Sequence, residues 1–254
     1  MVREVGHQVV AAITFAGDTV MLLLRAVSFV GRGRIGLRRT VQQMAIAGAD
    51  SFPIVTVTLL FVGMAWGWHT ATYMVKFGAT SYFGGTTALA IARELGPALC
   101  GVVVAARVGS AFAAELGTMT VTEQVDALRA LAVNPVYYLV VPRLIACIIM
   151  LPILTVVAIA AGLLGAFLLA VHVGVSPAEY ITSVQQWLTT RDLFGGIAKT
   201  LVFGLVIAIV GCRQGLRTTR GAAGVGLATI SSVVLSIVLI YTFNLLLTAA
   251  IFRY

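Results

Sequence analysis

Three charged residues, Arg93, Glu94 and Arg107, stand inside a mostly apolar run of a 254-residue chain. If that run crosses a bilayer, each charge costs about 2.5–3.5 kcal/mol unless it is paired or hydrated. Such groups either close an intramembrane ion pair or form a polar wall beside water. Arg93 and Glu94 are neighbours, so on a helix they point in different directions and need other partners. Arg107 lies near one end of the run, where its long stem lets the charge snorkel to the interface; a structural role is expected for it. A second charged group lies in "TVTEQVDALRALAVNPV" (120–136), between two apolar stretches. Thr120 and Glu123 have the spacing of a capping box. Glu123 and Asp126 sit where a helix dipole favours anions, Arg129 sits later, and Asn134-Pro135 ends the segment. Val121, Val125, Leu128, Leu131 and Ala132 share one face. The spacing predicts an ordered amphipathic helix where a connector of about four to six residues would do. It is either a solvated connector or a stiff element for passing force to its neighbours.

Other chemistries find no support. His7, His69 and His172 are far apart and lack zinc-ligand spacing. Cys100, Cys147 and Cys212 lie in apolar runs and read as small core residues. There is no G-x-S-x-G, and Lys199-Thr200 lacks the glycines of a P-loop, so no cofactor is expected and ATP is not bound here that way. "GAAGVG" (221–226) has its glycines in the wrong order for a dinucleotide fingerprint and reads as a tight loop. The formal net charge is +8, but only Lys76 and Lys199 are lysines and no aromatic-basic interleaving occurs. Nucleic acid is therefore not an expected partner. No cleavable signal is expected either.

These residues need elements to hold them, and composition dictates which. Hydrophobic residues make up 60% of the chain, charged residues only 10%, and mean hydropathy is +1.03. The apolar runs are continuous, which favours helices over a barrel in lipid. The fold class is thus an all-α polytopic membrane protein, with a single transmembrane domain over 1–254. Residues 1–50 are expected to form an interfacial elbow, with an amphipathic helix over 1–30 that carries Arg3, Glu4, His7, Asp18 and Arg25. Residues 51–254 are expected to form five spans, at 52–71, 87–114, 144–171, 193–212 and 225–252. Loops are expected at 72–86 and 172–192, and an interfacial turn over 136–143. Counting arginines orients the chain: Arg32, Arg34, Arg38, Arg39, Arg129, Arg213, Arg217 and Arg220 fall on one side, and Lys76, Arg191 and Arg253 on the other. The first side, with the N-terminus and the 120–133 helix, is expected to be cytoplasmic. Small residues at Ala105/Gly109/Ala113 and Gly224/Ala228 predict close helix packing.

The stretch 92–143 resembles the MlaE/YrbE permease family of ABC lipid transporters. The likeness is carried by R-E-x-G-P at Arg93, Glu94, Gly96 and Pro97, A-x-R-x-G-x-A around Arg107 and Gly109, and A-E-x-G at Glu115 and Gly117. E-x-x-D-A-L at Glu123, Asp126, Ala127 and Leu128, N-P at 134–135 and V-P-R at 141–143 complete it. A second patch, 199–229, is similar to the family's later signature. The resemblance implies five spans plus an N-terminal interfacial helix, and a dimer, expected to be a homodimer, that works with two cytoplasmic ABC ATPase subunits. It makes the charged segment a coupling helix between the second and third spans, with Glu123, Gln124, Asp126, Leu128 and Arg129 as its ATPase-coupling residues. It implies lipid passing through a cavity at the dimer interface, with Arg93, Glu94 and Pro97 as candidate cavity residues. An MCE-domain partner is expected on the outer side of a bacterial inner membrane. Arg93 and Glu94 remain open between cavity wall and structural pair. The chain itself is expected to be non-catalytic. Two other readings compete: a stand-alone secondary transporter with Glu94 or Glu115 as proton site, and an intramembrane lipid enzyme. The first expects inverted repeats and the second a catalytic cluster, and neither is visible.

Overall fold

Lipid offers the backbone no hydrogen bonds, so a chain this apolar must satisfy its amides within helices. The computed structural model describes residues 2–32, 36–219 and 221–253, and every regular element among them is helical. Arg34 and Arg220 of the arginine count lie outside the described residues, as do the side chains of Arg3, Glu4 and His7. The helices are α1 (Val2–Gly31), α2 (Leu37–Ala47), α3 (Phe52–Lys76), α4 (Thr80–Val121), α5 (Gln124–Ala130), α6 (Val136–Val173), α7 (Pro177–Trp187), α8 (Thr190–Leu216) and α9 (Gly221–Ile251). A short 3₁₀ turn, Ala49–Ser51, joins α2 to α3. Among the described residues, six stretches are long and apolar enough to cross a membrane: Ile13–Gly31, Leu37–Lys76, and helices α4, α6, α8 and α9. The chain is a multi-pass membrane protein.

The first of those six sits differently from the rest. Asp18 of α1 pairs with Arg213 and Arg217 at the end of α8 (3.2 and 2.7 Å), while Phe29 packs against Tyr137 at the start of α6. Both ends of this segment therefore meet the same, arginine-rich end of the bundle.

Glycines set the core. Gly63 and Gly67 of α3 lie against Gly162 and Ala166 of α6, so close that a Cβ on either would collide with backbone. Gly204 of α8 faces the Cys147 carbonyl in the same way. This is the small-residue packing by which helices associate where lipid supplies no hydrophobic drive. Of the stripe expected to pack closely, Gly109 accepts a hydrogen bond at its carbonyl from Ser232 of α9 (3.1 Å). Gly224 instead packs on the Thr219 carbonyl of its own turn. The three cysteines are free and buried.

Several boundaries differ from the sequence expectation. No loop occupies 72–86: α3 runs to Lys76, a tight turn uses Gly78 at φ +65°, and α4 begins at Thr80. The Gly84-Gly85 pair is a packing surface, seated on Tyr180 and Trp187 of α7. Likewise 172–192 is not a plain loop but contains α7, whose Ser183 hydroxyl accepts from the Gly85 amide (2.9 Å). Burial pushes the Tyr180 phenol of α7 up to about 12, leaving its hydroxyl a fixed donor to the Leu163 carbonyl. Residues 136–143 form no interfacial turn; α6 starts at Val136 with one wide, π-helical turn, and Pro142 follows directly on it. The glycines at 221–226 open α9 directly, with Gly221 at φ +62°.

Candidate functional site

The first site begins with a proline. Pro97 lacks the amide that would bond back to the carbonyl of Arg93 or, in a wide turn, of Ala92. Residues Ile91–Leu95 do form such a wide π-helical turn, a feature that recurs at functional sites. Helix α8 approaches both carbonyls. Lys199 Nζ donates to the Arg93 carbonyl at 2.8 Å, and Gly196 lies so close to the Ala92 carbonyl that a Cβ would strike it. Pro97 itself is buried against Gly196.

The same lysine closes a polar network. Its ammonium, fully buried, lies 2.9 Å from Glu94 Oε1 and 2.6 Å from the Thr248 hydroxyl. Asn244 Nδ2 donates to Glu94 Oε2 at 2.7 Å, and Thr248 Oγ1 lies 2.8 Å from Oε1. Asn244 and Thr248 are one turn apart on α9, so a single helix face supplies both. Each Glu94 oxygen thus has a donor, although the carboxylate is still about 38% exposed. Beside it, Arg93 bonds Asp192 Oδ1 through Nε and Nη2, both at 2.7 Å. Asp192 is held in turn by a capping box with Thr189, whose amide (2.9 Å) and hydroxyl (2.7 Å) both lie against Oδ2. Phe252 covers the group, its ring centroid 4.6 Å from the Arg93 guanidinium and 5.2 Å from Lys199 Nζ. A cavity of about 390 Å³ opens beside Arg93, between Trp187, Asp192 and Phe252. Arg93 and Glu94 therefore use different partners on α8, as their divergent directions require.

Sequence reasoning missed Lys199 as the centre of this group, along with Asn244, Thr248 and Asp192. A signal existed: Lys199 is one of two lysines in the chain and stands in an apolar run.

Arg107 also finds partners, at the opposite end. Its Nη1 donates to Ser51 Oγ at 3.0 Å, and Asp50 lies 4.0 Å away. Glu115 pairs with the buried Arg143 at 2.6 Å, so the A-E-x-G and V-P-R motifs meet in space.

The second site is α5. The expected capping box is not made. Thr120 Oγ1 lies 2.8 Å from the Leu116 carbonyl and 3.2 Å from the Gly215 carbonyl of α8, because α4 continues through Thr120 to Val121. Glu123 is instead the residue before α5, in a left-handed conformation at φ 59°. At the other end, Val133 N–H bonds the Leu128 carbonyl (2.9 Å) and Ala132 N–H the Arg129 carbonyl (3.0 Å). That is a Schellman closure, with Ala132 at φ 57° where glycine is usual. Glu123 and Ala132 are the only non-glycine residues with positive φ among the described residues, and they bracket this one helix. Each costs roughly 1–2 kcal/mol. Val125 is buried and Leu128 half-buried against the core, whereas Glu123, Gln124, Asp126 and Arg129 are exposed. Val121 and Leu131, expected on the packed face, are exposed too, because the helix is only Gln124–Ala130. Arg129 pairs with Asp126 on the open surface (2.7 Å).

Among the described residues no three His, Cys, Asp or Glu side chains are placed to hold a metal. The two motif-bearing segments are packed on each other from Glu94 and Lys199 at one end to Thr120 and Gly215 at the other.

Comparison with known proteins matches the model of the permease MlaE family to residues 40–250. The chain belongs to the MlaE permease family. It is 43% identical over 248 residues to a probable ABC transporter permease protein of Synechocystis sp., covering 97% of this chain and 92% of that one. It is 37% identical over 252 residues to a probable ABC transporter permease protein of Rickettsia felis, covering 99% and 97%. It is also 39% identical over 239 residues to the Arabidopsis thaliana chloroplastic protein trigalactosyldiacylglycerol 1, covering 94% of this chain and 66% of that one. The MlaE permease described here is accordingly a permease subunit.

Proposed function

We propose that this permease moves phospholipid or a related lipid, driven by separate cytoplasmic ABC ATPase subunits that dock on α5. The observation that carries the reading is the bracketing of α5 by two strained residues. Backbone strain persists where the surroundings over-determine it, and it clusters at functional elements. Here it holds Glu123, Gln124, Asp126 and Arg129 outward on a helix anchored through Val125 and Leu128. The arginine-rich end is then cytoplasmic, in a bacterial inner membrane, and the Arg93–Glu94 end faces outward.

Arg93 beside its cavity, with an aromatic ring and a carboxylate pair, is suited to a lipid headgroup. The name of the Arabidopsis relative contains a glycolipid, which supports a lipid substrate. Pro97 acts behind this wall, by turning the Arg93 carbonyl toward α8. A second copy of the chain would pair along an exposed stripe of α9 (Leu227, Ile230, Val234, Val238, Leu245). An MCE-domain protein would exchange lipid at the outer end. Glu94 already receives donors at both oxygens, which disfavours a secondary transporter that loads protons there.

The test is the double variant Glu123→Lys/Asp126→Lys. The ATPase should fail to co-purify, while the permease keeps its thermal stability to within about 1 kcal/mol, the range for losing an exposed ion pair. Undiminished co-purification would overturn the coupling role of α5.

A further inference from the structure

A third charged group belongs to neither site. Where α1 crosses the ends of α5, α6 and α8 lies a cavity of about 340 Å³. Four guanidiniums line it: Arg25 from α1, Arg129 from α5, and Arg213 and Arg217 from α8. The anions facing them are few. Asp18 is shared by Arg213 and Arg217 (3.2 and 2.7 Å), and Asp126 holds Arg129 from the rim. Arg25 forms no ion pair among the described residues. Arg213 is mostly buried, its guanidinium 4.2 Å from the Phe15 ring centroid, and its buried Nε has no acceptor. The cavity thus holds two more cations than anions and an unanswered donor. Leaving such a buried donor unmet is destabilising, and guanidinium forks suit phosphate oxygens.

The surroundings choose the source of that phosphate. Met21 and Leu24 of α1, beside Arg25, are apolar and more than half exposed, as are Val20 and Val27. This is a surface for acyl chains, with the cationic cavity at headgroup level. We propose that the cavity binds the phosphate of an anionic phospholipid of the leaflet at the arginine-rich end, as a regulatory site separate from the transport path. The bound headgroup bridges α1 and α8 to Arg129, and so ties the seating of α5 to the lipid around it. The placement of that leaflet rests on the orientation proposed above; the binding measurement does not.

The test uses the full chain in phosphatidylcholine nanodiscs doped with phosphatidylglycerol, followed by native mass spectrometry of the retained lipid. The wild type should keep one phosphatidylglycerol per chain. Arg25→Gln, which breaks no ion pair, should weaken retention about tenfold, the value of one charge-assisted hydrogen bond. Arg217→Gln should do the same, and Arg38→Gln, an equal loss of charge on the exposed face of α2, should not. Equal losses in Arg25→Gln and Arg38→Gln would mean diffuse surface attraction and overturn the site. Displacement of the lipid by inorganic phosphate alone would assign the cavity to a soluble anion and overturn the lipid. ATPase co-purification is read separately, so a failure here leaves the docking on α5 standing.

Discussion

Towards the two ends of α4, carboxylate–cation pairs serve opposite purposes. At one end, Glu94 and Lys199 form an ion pair whose ammonium is wholly buried and whose carboxylate is bonded at both oxygens. Near the other, Asp126 and Arg129 form an ion pair that is about two-thirds exposed at both partners. An exposed pair contributes about 0–1 kcal/mol and leaves its members free for another partner. Breaking a buried pair leaves a charge stranded and costs several kcal/mol. Burial, not residue type, therefore separates the end that must hold together from the end that must be available.

That contrast breaks most visibly at Lys199. Lys199→Met should destabilise the permease by about 3 kcal/mol, the lower end for a severed buried pair because Glu94 keeps some solvent. Glu94→Gln in the same chain should recover part of the loss. Thermal unfolding in detergent measures both, and a single variant as stable as wild type would make this pair no different from the exposed one. Gly196→Ala comes next. Its Cβ meets the Ala92 carbonyl, which is backbone and cannot swing away, so about 1–3 kcal/mol should be lost and the α4–α8 contact loosened. Unchanged stability would show that the two helices have room there. The smallest effect sharpens the other side. Ala132→Gly relieves a left-handed residue and should stabilise by about 0.5 kcal/mol after the extra unfolded-chain entropy of glycine. Destabilisation would mean that the strain around α5 is not strain.

Apolar runs made the spans legible, because their length and continuity report directly on the solvent. The arginine counting likewise separated the two ends, and Asp18, Arg213 and Arg217 do gather at one of them. Glycine was harder. The Gly84-Gly85 pair has a loop's composition, yet it is helical, because α7 needs a surface without side chains there. Thr120 shows the same limit: its spacing to Glu123 fits a cap, but the Gly215 carbonyl competes for it from 95 residues away. The Glu94 network was half legible. Its carboxylate demanded a cation, but only folding brings Lys199, Asn244 and Thr248 around it.

Pro97 carries one more consequence. Proline is usually counted as an interruption, since it deletes a rung of its own helix. Here the deletion keeps the Arg93 oxygen on offer to a stranger, and the lysine of another helix takes the rung's place. Restoring an amide with Pro97→Ala would let α4 compete for that oxygen and leave Lys199 to Glu94 and Thr248. The residue that weakens one helix is, on this geometry, the splice that joins two.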